Sequence, residues 1–141
     1  MGRVCAPVSK KRFELTEKIK AKHPHVFIVQ IHTFSPLYNG EWRTVDLGII
    51  YKAQDRRLAH LIERLRAESP YNVAHNEPWG VESVDGGIFN AFYQETDVSI
   101  FTLEVKNTLL KTKKDVRRIA RLFAHALEES FDIQSAHVGN A

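Results

Sequence analysis

The sequence predicts an α/β domain in which helices flank a mixed sheet. Two apolar runs rich in β-branched residues, His25 to Pro36 and Val98 to Lys106, have the composition of buried strands. Segments with helical spacing alternate with the strand-like runs, in the order helix, strand, strand, helix, strand, strand, helix. The 141 residues suit one domain, 1–141, and no repeat or linker divides them.

The N-terminal part is predicted to be one helix followed by the first strand. Met1 to Pro7 is expected to be an irregular lead, and Ser9 can cap a helix that runs to about Lys22. Three apolar residues would form its buried side: Phe13, Leu15 and Ile19. The run His25 to Pro36 that follows is predicted to be a central strand, buried on both faces.

The next segments predict a loop, a strand and the most strongly patterned helix. The stretch from Thr33 to Arg43 is rich in turn formers and suits a substrate-binding loop. Thr44 to Lys52 is strand-like, and Gly48 within it indicates a bulge or a close backbone approach. Asp55 to Glu68 is predicted to be a helix because four apolar residues share one helical face: Leu58, Leu61, Ile62 and Leu65.

The second half is predicted to contain two strands, a further extended segment and a helix. Tyr71 to Ala74 forms a short strand, Ile88 to Tyr93 is extended, and Val98 to Lys106 forms the second long strand. The residues from Thr112 to Asp115 fit a capping box, and the tail from Asp132 is expected to be frayed. The apolar face of the last helix is Val116, Ile119, Ala120, Phe123 and Leu127.

A histidine and a glutamate stand at the ends of the two long strands. In open α/β sheets, ligands bind at the carboxyl ends of the strands, so His32 and Glu104 are the candidate functional pair. His32 alone is more often a satisfied core histidine than a ligand. Glu104 must find a cation, a metal or solvent, because an unpaired buried carboxylate is costly. The two are predicted to share one edge of the sheet.

Composition narrows the classes of function. The net charge of +3 arises from 20 basic and 17 acidic residues spread along the chain, without a nucleic-acid-binding motif, so we expect no nucleic-acid partner. No apolar stretch is long enough to cross a bilayer, and we expect no membrane association. The single cysteine fits a reducing compartment, which predicts a cytoplasmic protein. Oligomeric state is left open.

Four segments occur along the chain in this order: IHTFSPLYNG, RTVDLGIIYKAQDRRLA, HNEPWG and LEVKNTLL. Together they resemble the C-terminal portion of the N-formylglutamate amidohydrolase family, and the similarity extends from about Phe13 onward. The resemblance implies a zinc carboxypeptidase-like fold and the zinc-dependent hydrolysis of an N-formyl or related amide of an acidic amino acid. The expected partner is therefore a small-molecule amide.

The same resemblance implies roles for six residues. His32 corresponds to the last zinc ligand and Glu104 to the general base. The positions near the substrate are Arg43, Asn76, Glu77 and Lys106. From the residues alone, Arg43 is equally well a solvated arginine, and Asn76 and Glu77 can be an ordinary polar turn.

Departures from the family pattern keep a second function open. The family takes its first two zinc ligands from an N-terminal region that this chain lacks, so the chain is expected to be a partial domain with an incomplete zinc site. Lys106 replaces an arginine, Trp79 a tyrosine, and Thr108 a common aspartate. The alternatives are a non-catalytic module that binds a small anion and, less favoured, a basic domain for nucleic acid.

Overall fold

The computed structural model describes residues 5–51, 55–80, 91–92 and 94–131, with the backbone alone for residues 5–9. Three α-helices, six strands and a short 3-10 helix are defined within these residues. They are α1 (Cys5–Lys20), β1 (Val26–Phe34), β2 (Leu37–Tyr38), β3 (Glu41–Trp42), β4 (Leu47–Ile50), α2 (Arg56–Glu68), β5 (Val73–His75), β6 (Val98–Lys106), the 3-10 helix Asn107–Leu109 and α3 (Lys113–Phe131).

Four strands form one mixed sheet in the order β1-β6-β4-β5. β1 is parallel to β6, β4 is parallel to β5, and β4 is antiparallel to β6. The predicted α/β class with a mixed sheet and flanking helices is confirmed. The central strand is β6, in which eight of nine residues are buried.

The prediction that the first long run is a central strand was wrong. β1 is a terminal strand of the sheet among the described strands and is only partly buried: Ile31 to Thr33 are exposed, and its last residue, Phe34, is buried. Composition could not distinguish the two positions, because both long strands are rich in apolar residues while their burial depends on which elements cover them.

The main core lies between the sheet and the helices α2 and α3. All four residues predicted for the apolar face of α2 are buried there, together with Phe101, Leu103 and Val105 of β6. A smaller cluster on the other face joins Phe92 to Val98 and Ile100. The even-numbered residues of β6 therefore belong to the less covered face, and Glu104 is one of them.

Both core helices begin at the polar residues that the sequence indicated. Asp55 caps α2, and its side chain accepts a hydrogen bond from the backbone N–H of Arg57 at 2.8 Å. Thr112 and Asp115 exchange reciprocal bonds at the start of α3, as predicted for a capping box. None of the described helices combines the length and the apolar character that a membrane crossing requires.

The first helix differs from the prediction in its start and in its buried side. It already includes Cys5–Pro7, and Phe13, Leu15 and Ile19 are all exposed. These residues do not form a continuous apolar stripe, so the helix cannot bury them together against the sheet. Within the described side chains of α1, Thr16 is the buried one.

Smaller differences occur in the second half of the chain. Val116 and Ala120 of α3 are exposed, whereas Ala126 is buried in the core. Ala91 and Phe92 are helical rather than extended. Residues 88–90 and 93 of the predicted extended segment Ile88 to Tyr93 lie outside the described residues, as does the tail from Asp132.

Candidate functional site

The parallel register of β1 and β6 places His32 directly beside Glu104. His32 Nδ1 lies 3.6 Å from Glu104 Oε1. The histidine side chain is 57% exposed and the glutamate side chain only 5%. The predicted juxtaposition of the two residues at one edge of the sheet is confirmed, and it gives an accessible imidazole next to a buried carboxyl group. Their chemical roles stay predictions.

Burial is the main influence on the pKa of Glu104. Burial raises the pKa of its carboxyl group, and the nearby charges of His32 and Arg43 partly oppose that rise. Its Oε2 atom has no hydrogen-bond partner among the described residues. A carboxyl group with one uncommitted oxygen and a raised pKa is suited to accept and return a proton.

Gly48 brings the segment after β5 close to Glu104. Gly48 pairs with Glu104 in the sheet, and a Cβ built on Gly48 would lie 1.7 Å from the carbonyl oxygen of Glu77. The same Cβ would lie 3.4 Å from the Cβ of Glu104. The predicted close backbone approach at Gly48 is confirmed, because a side chain here would displace the turn that borders the site.

Arg43 lies in a cage of aromatic rings. Its Cζ atom is 4.0 Å from the centre of the Trp79 ring and 4.5 Å from that of Tyr38, and Phe34 lies farther away at 5.9 Å. The Tyr38 and Trp79 rings meet edge to face at 5.1 Å between centroids. Such rings hold a guanidinium group by cation–π attraction while leaving its N–H donors available to an anion.

Asn76 and Glu77 shape the turn that carries Trp79. Asn76 has a positive φ of 53°, and its Oδ1 accepts a hydrogen bond from the Tyr51 backbone N–H at 3.0 Å. Its own N–H donates to the carbonyl of Ile49 at 2.9 Å. Glu77 has an exposed side chain, and its backbone carbonyl oxygen occupies the space beside Gly48 that a Cβ would need. Their contacts in this structure therefore fix the turn against β4, and substrate binding by either residue stays a prediction.

Lys106 forms an ion pair with Asp46. Its Nζ lies 2.6 Å from Asp46 Oδ1, and its backbone N–H donates to the Asp46 carbonyl at 2.9 Å. Asp46 Oδ2 also accepts from the Asn72 backbone N–H at 2.9 Å. These bonds tie the end of β6 to the segment before β4, so a substrate would have to compete with Asp46 for the ammonium group. The partner Asp46 could not be identified from spacing, because it lies 60 residues away.

The described residues do not complete a three-ligand zinc site at this edge. Structural and catalytic zinc sites use at least three protein ligands, and here one imidazole faces one carboxylate. Within the described part of the chain, a group of three with suitable spacing occurs elsewhere, at Glu68, His125 and Glu129. That group is exposed, and Arg64 forms ion pairs with both of its carboxylates.

A second polar group, which the sequence did not indicate, joins β6 to the start of α2. The buried Ser99 hydroxyl donates to Asp55 and lies 3.0 Å from His25 Nε2. Burial lowers the pKa of His25, and the charge of Arg57 acts in the same direction. Ser99 is 1% exposed, so the group serves to anchor the helix cap and is closed to a substrate.

The buried charge of Glu104 gives the first testable prediction. Since the pKa of Glu104 is raised in the folded protein, stability falls as the pH rises from the ordinary glutamate pKa of 4.5 to the raised folded-state pKa, because the unfolded chain ionises first. Glu104→Gln is therefore expected to raise the free energy of unfolding at pH 7 by about 1 kcal/mol. The gain should disappear below the ordinary glutamate pKa of 4.5, where both states of the wild type are neutral. Urea unfolding at several pH values measures it, and a gain that persists at low pH would contradict it.

Comparisons with known proteins support the fold. No family model matches the chain, and no curated protein matches it. The crystal structure of the gene product Atu2144 from Agrobacterium tumefaciens superposes with a TM-score of 0.77 and 23% sequence identity. The match covers 89% of this chain and 50% of the other, so this chain spans half the length of that structure. At this identity the likeness shows a shared fold alone.

Proposed function

We propose that the chain carries part of the active site of a zinc-dependent amidohydrolase that acts on an N-formyl or related amide of an acidic amino acid. The observation that supports this proposal is the buried Glu104 carboxyl group, which lies beside the exposed imidazole of His32 and whose Oε2 has no hydrogen-bond partner among the described residues. The sequence resemblance to N-formylglutamate amidohydrolases supplies the reaction class. The single cysteine motivates a cytoplasmic location as part of the same proposal.

Glu104 is the proposed proton-transfer residue. Amide hydrolysis requires a base that removes a proton from the attacking water and an acid that protonates the leaving amine. A carboxyl group whose pKa is raised by burial is better suited to both steps than an ordinary carboxylate, because it holds the accepted proton more strongly. Its pairing with His32 of β1 and Gly48 of β4 fixes its position near the carboxyl end of β6.

Arg43 is the proposed binding group for the substrate carboxylate. The aromatic rings of Tyr38 and Trp79 hold its guanidinium in place, and no ion pair to a protein carboxylate occupies it among the described residues. The charge of Arg43 partly opposes the rise in the pKa of Glu104, so the guanidinium lies within electrostatic range of that carboxyl group. A carboxylate bound by Arg43 would thus position an adjacent amide near the proton-transfer group.

His32 would hold the metal, and zinc would polarise the amide carbonyl and lower the pKa of a bound water. A single histidine beside a glutamate leaves the other coordination positions to groups outside the described site. We therefore expect this chain alone to bind zinc weakly. Calorimetric titration of the untagged protein measures the affinity. Stoichiometric zinc that survives dialysis against a chelator would show that the chain itself completes the site.

A non-catalytic module that binds a small anion is the second candidate. Among the described residues, aromatic rings already surround Arg43, whereas only one histidine and one carboxylate are available at the metal site, and this difference favours the binding module. In the binding module, Arg43 would bind the carboxylate of the small anion, and Glu104 would transfer no proton. The two candidates share the binding step and differ in whether the amide is cleaved.

Formate release distinguishes the two candidates. A zinc-loaded protein in which this chain is joined to a segment that supplies the remaining ligands is incubated with N-formylglutamate, and formate is followed by proton NMR. The proposed hydrolase releases formate in a zinc-dependent manner, faster than Glu104→Gln prepared in the same way. Saturable binding of N-formylglutamate without formate above the protein-free control would leave the binding module as the better description.

A further inference from the structure

A second polar pair lies beside His32 and Glu104 on the sheet. In the register of β1 with β6, the pair two residues before them is Gln30 and Thr102. Successive side chains of a strand alternate between the two faces, so residues two apart share a face. Gln30 and Thr102 therefore lie on the same face as the candidate site, one row farther from the carboxyl ends of the two strands.

This pair separates the candidate site from an apolar cluster. The next row along the strands consists of Ile28 and Ile100, which belong to the smaller cluster on this face. At the other end of β1, the centre of the Phe34 ring lies 5.9 Å from Arg43 Cζ. The order along this face is therefore the arginine, the histidine–glutamate pair, the Gln30 row and then apolar side chains.

The hydrogen bond within the second pair leaves the donors of Gln30 available. Thr102 Oγ1 donates to Gln30 Oε1 at 3.2 Å, and Thr102 is fully buried whereas Gln30 is only partly buried. A glutamine amide carries two N–H donors in addition to its oxygen. Neither donor of Gln30 has an acceptor among the described residues. The bond holds the amide oxygen against β6 and leaves the nitrogen on the side away from Thr102.

We infer that Gln30 binds the carbonyl oxygen of the scissile amide and that Thr102 is its positioning residue, an inference that rests on the proposed function. A ligand whose carboxylate is held by Arg43 and whose amide lies at Glu104 extends next toward the Gln30 row. Residues two apart on a strand are separated by about 7 Å, which a glutamine side chain and an amide group together can span. The carbonyl oxygen is an acceptor, and Gln30 offers donors.

A donor at this position stabilises the charge that develops during amide hydrolysis. The oxygen of the attacking water bonds to the carbonyl carbon, and the proton of that water passes to Glu104. The C–N bond then breaks, and the same proton passes to the leaving amine. Between these steps the carbonyl oxygen carries negative charge, and a hydrogen-bond donor held in place there stabilises it. Gln30 transfers no proton and acts through this hydrogen bond alone.

The affinities for two ligands test the inference. In a Trp42→Phe background, the fluorescence of Trp79 follows the binding of N-formylglutamate and of glutarate, which has both carboxylates but no amide. Gln30→Met keeps the length of the side chain and removes its donors. It is expected to raise the dissociation constant of N-formylglutamate about five- to tenfold. The dissociation constant of glutarate should be unchanged, because glutarate has no carbonyl oxygen for Gln30 to bind.

Variants at Thr102 test its positioning role. Thr102→Val should weaken the binding of N-formylglutamate but add no further loss to Gln30→Met, because both changes act on one hydrogen bond. Thr102→Ser keeps the hydroxyl group and should retain the affinity. Thr33→Val is the matched control, since Thr33 is exposed on the opposite face of β1, and it should alter the binding of neither ligand.

Circular dichroism checks that each variant folds, and Gln30→Leu replaces Gln30→Met if that variant does not. Unchanged affinity of the Gln30 variant for N-formylglutamate would overturn the inference and leave carboxylate binding by Arg43 intact. An equal loss of affinity for both ligands would also overturn it. If neither ligand binds before Gln30 is replaced, the proposed function fails together with the inference.

Discussion

Glu104→Gln is expected to lower amide hydrolysis by about 100- to 10,000-fold in a zinc-loaded protein in which this chain is joined to a segment that supplies the remaining ligands. Glutamine preserves the shape of the side chain but cannot accept a proton from the attacking water. The fold and the zinc content should be unchanged, because His32 keeps its place on β1. Turnover of N-formylglutamate at matched zinc content is the measurement.

Two variants serve as controls for that result. Glu63→Gln makes the same chemical change at an exposed position of α2 and should leave turnover unaltered. His32→Ala should lose zinc first and activity as a consequence. Equal turnover by the wild type and Glu104→Gln would rule out proton transfer by Glu104 and leave the binding module as the better description.

Gly48→Ala is expected to destabilise the fold by roughly 3 kcal/mol, since the added methyl group would overlap the Glu77 carbonyl oxygen. The contact involves backbone, so it can be relieved only by moving the 76–80 turn or by separating β4 from it. The substitution should therefore also displace Trp79 from Arg43 and weaken anion binding. Urea unfolding gives the loss in stability.

Gly40→Ala is the appropriate comparison. Gly40 has a φ of +79°, but a Cβ there meets no atom within 4 Å. Its replacement should cost only about 1 kcal/mol, which reflects the left-handed backbone conformation. If Gly48→Ala were no more destabilising than Gly40→Ala, the close approach of Glu77 to Gly48 would not exist in solution.

The elements with strong local patterns were predictable from sequence. The helix α2 and the strand β6 begin and end within one residue of the predicted segments, because spacing and capping chemistry act over a few residues. The pairing of His32 with Glu104 followed from the rule that parallel strands present their carboxyl ends at the same edge.

Features that depend on distant partners were not predictable in this way. The position of β1 in the sheet and the exposure of the apolar residues of α1 depend on which elements pack against them. The ion pair between Lys106 and Asp46 depends on two residues that are distant in sequence. The aromatic cage around Arg43 joins the loop after β1 to the turn after β5, separated by 36 residues between Arg43 and Trp79. Gly48 was a local signal, but the sequence could not identify Glu77 as the group that approaches it.

Binding of N-formylglutamate by this chain, followed through the fluorescence of Trp79, tests most directly whether Arg43 is the binding group for the substrate carboxylate. The chain has two tryptophans, so Trp42→Phe leaves Trp79, which lies 4.0 Å from Arg43, as the reporter. We predict a saturable fluorescence change in this background. Adding Arg43→Met should abolish it, whereas the exposed Arg56→Met should not. No saturable change, or equal affinity with and without Arg43, would contradict the account.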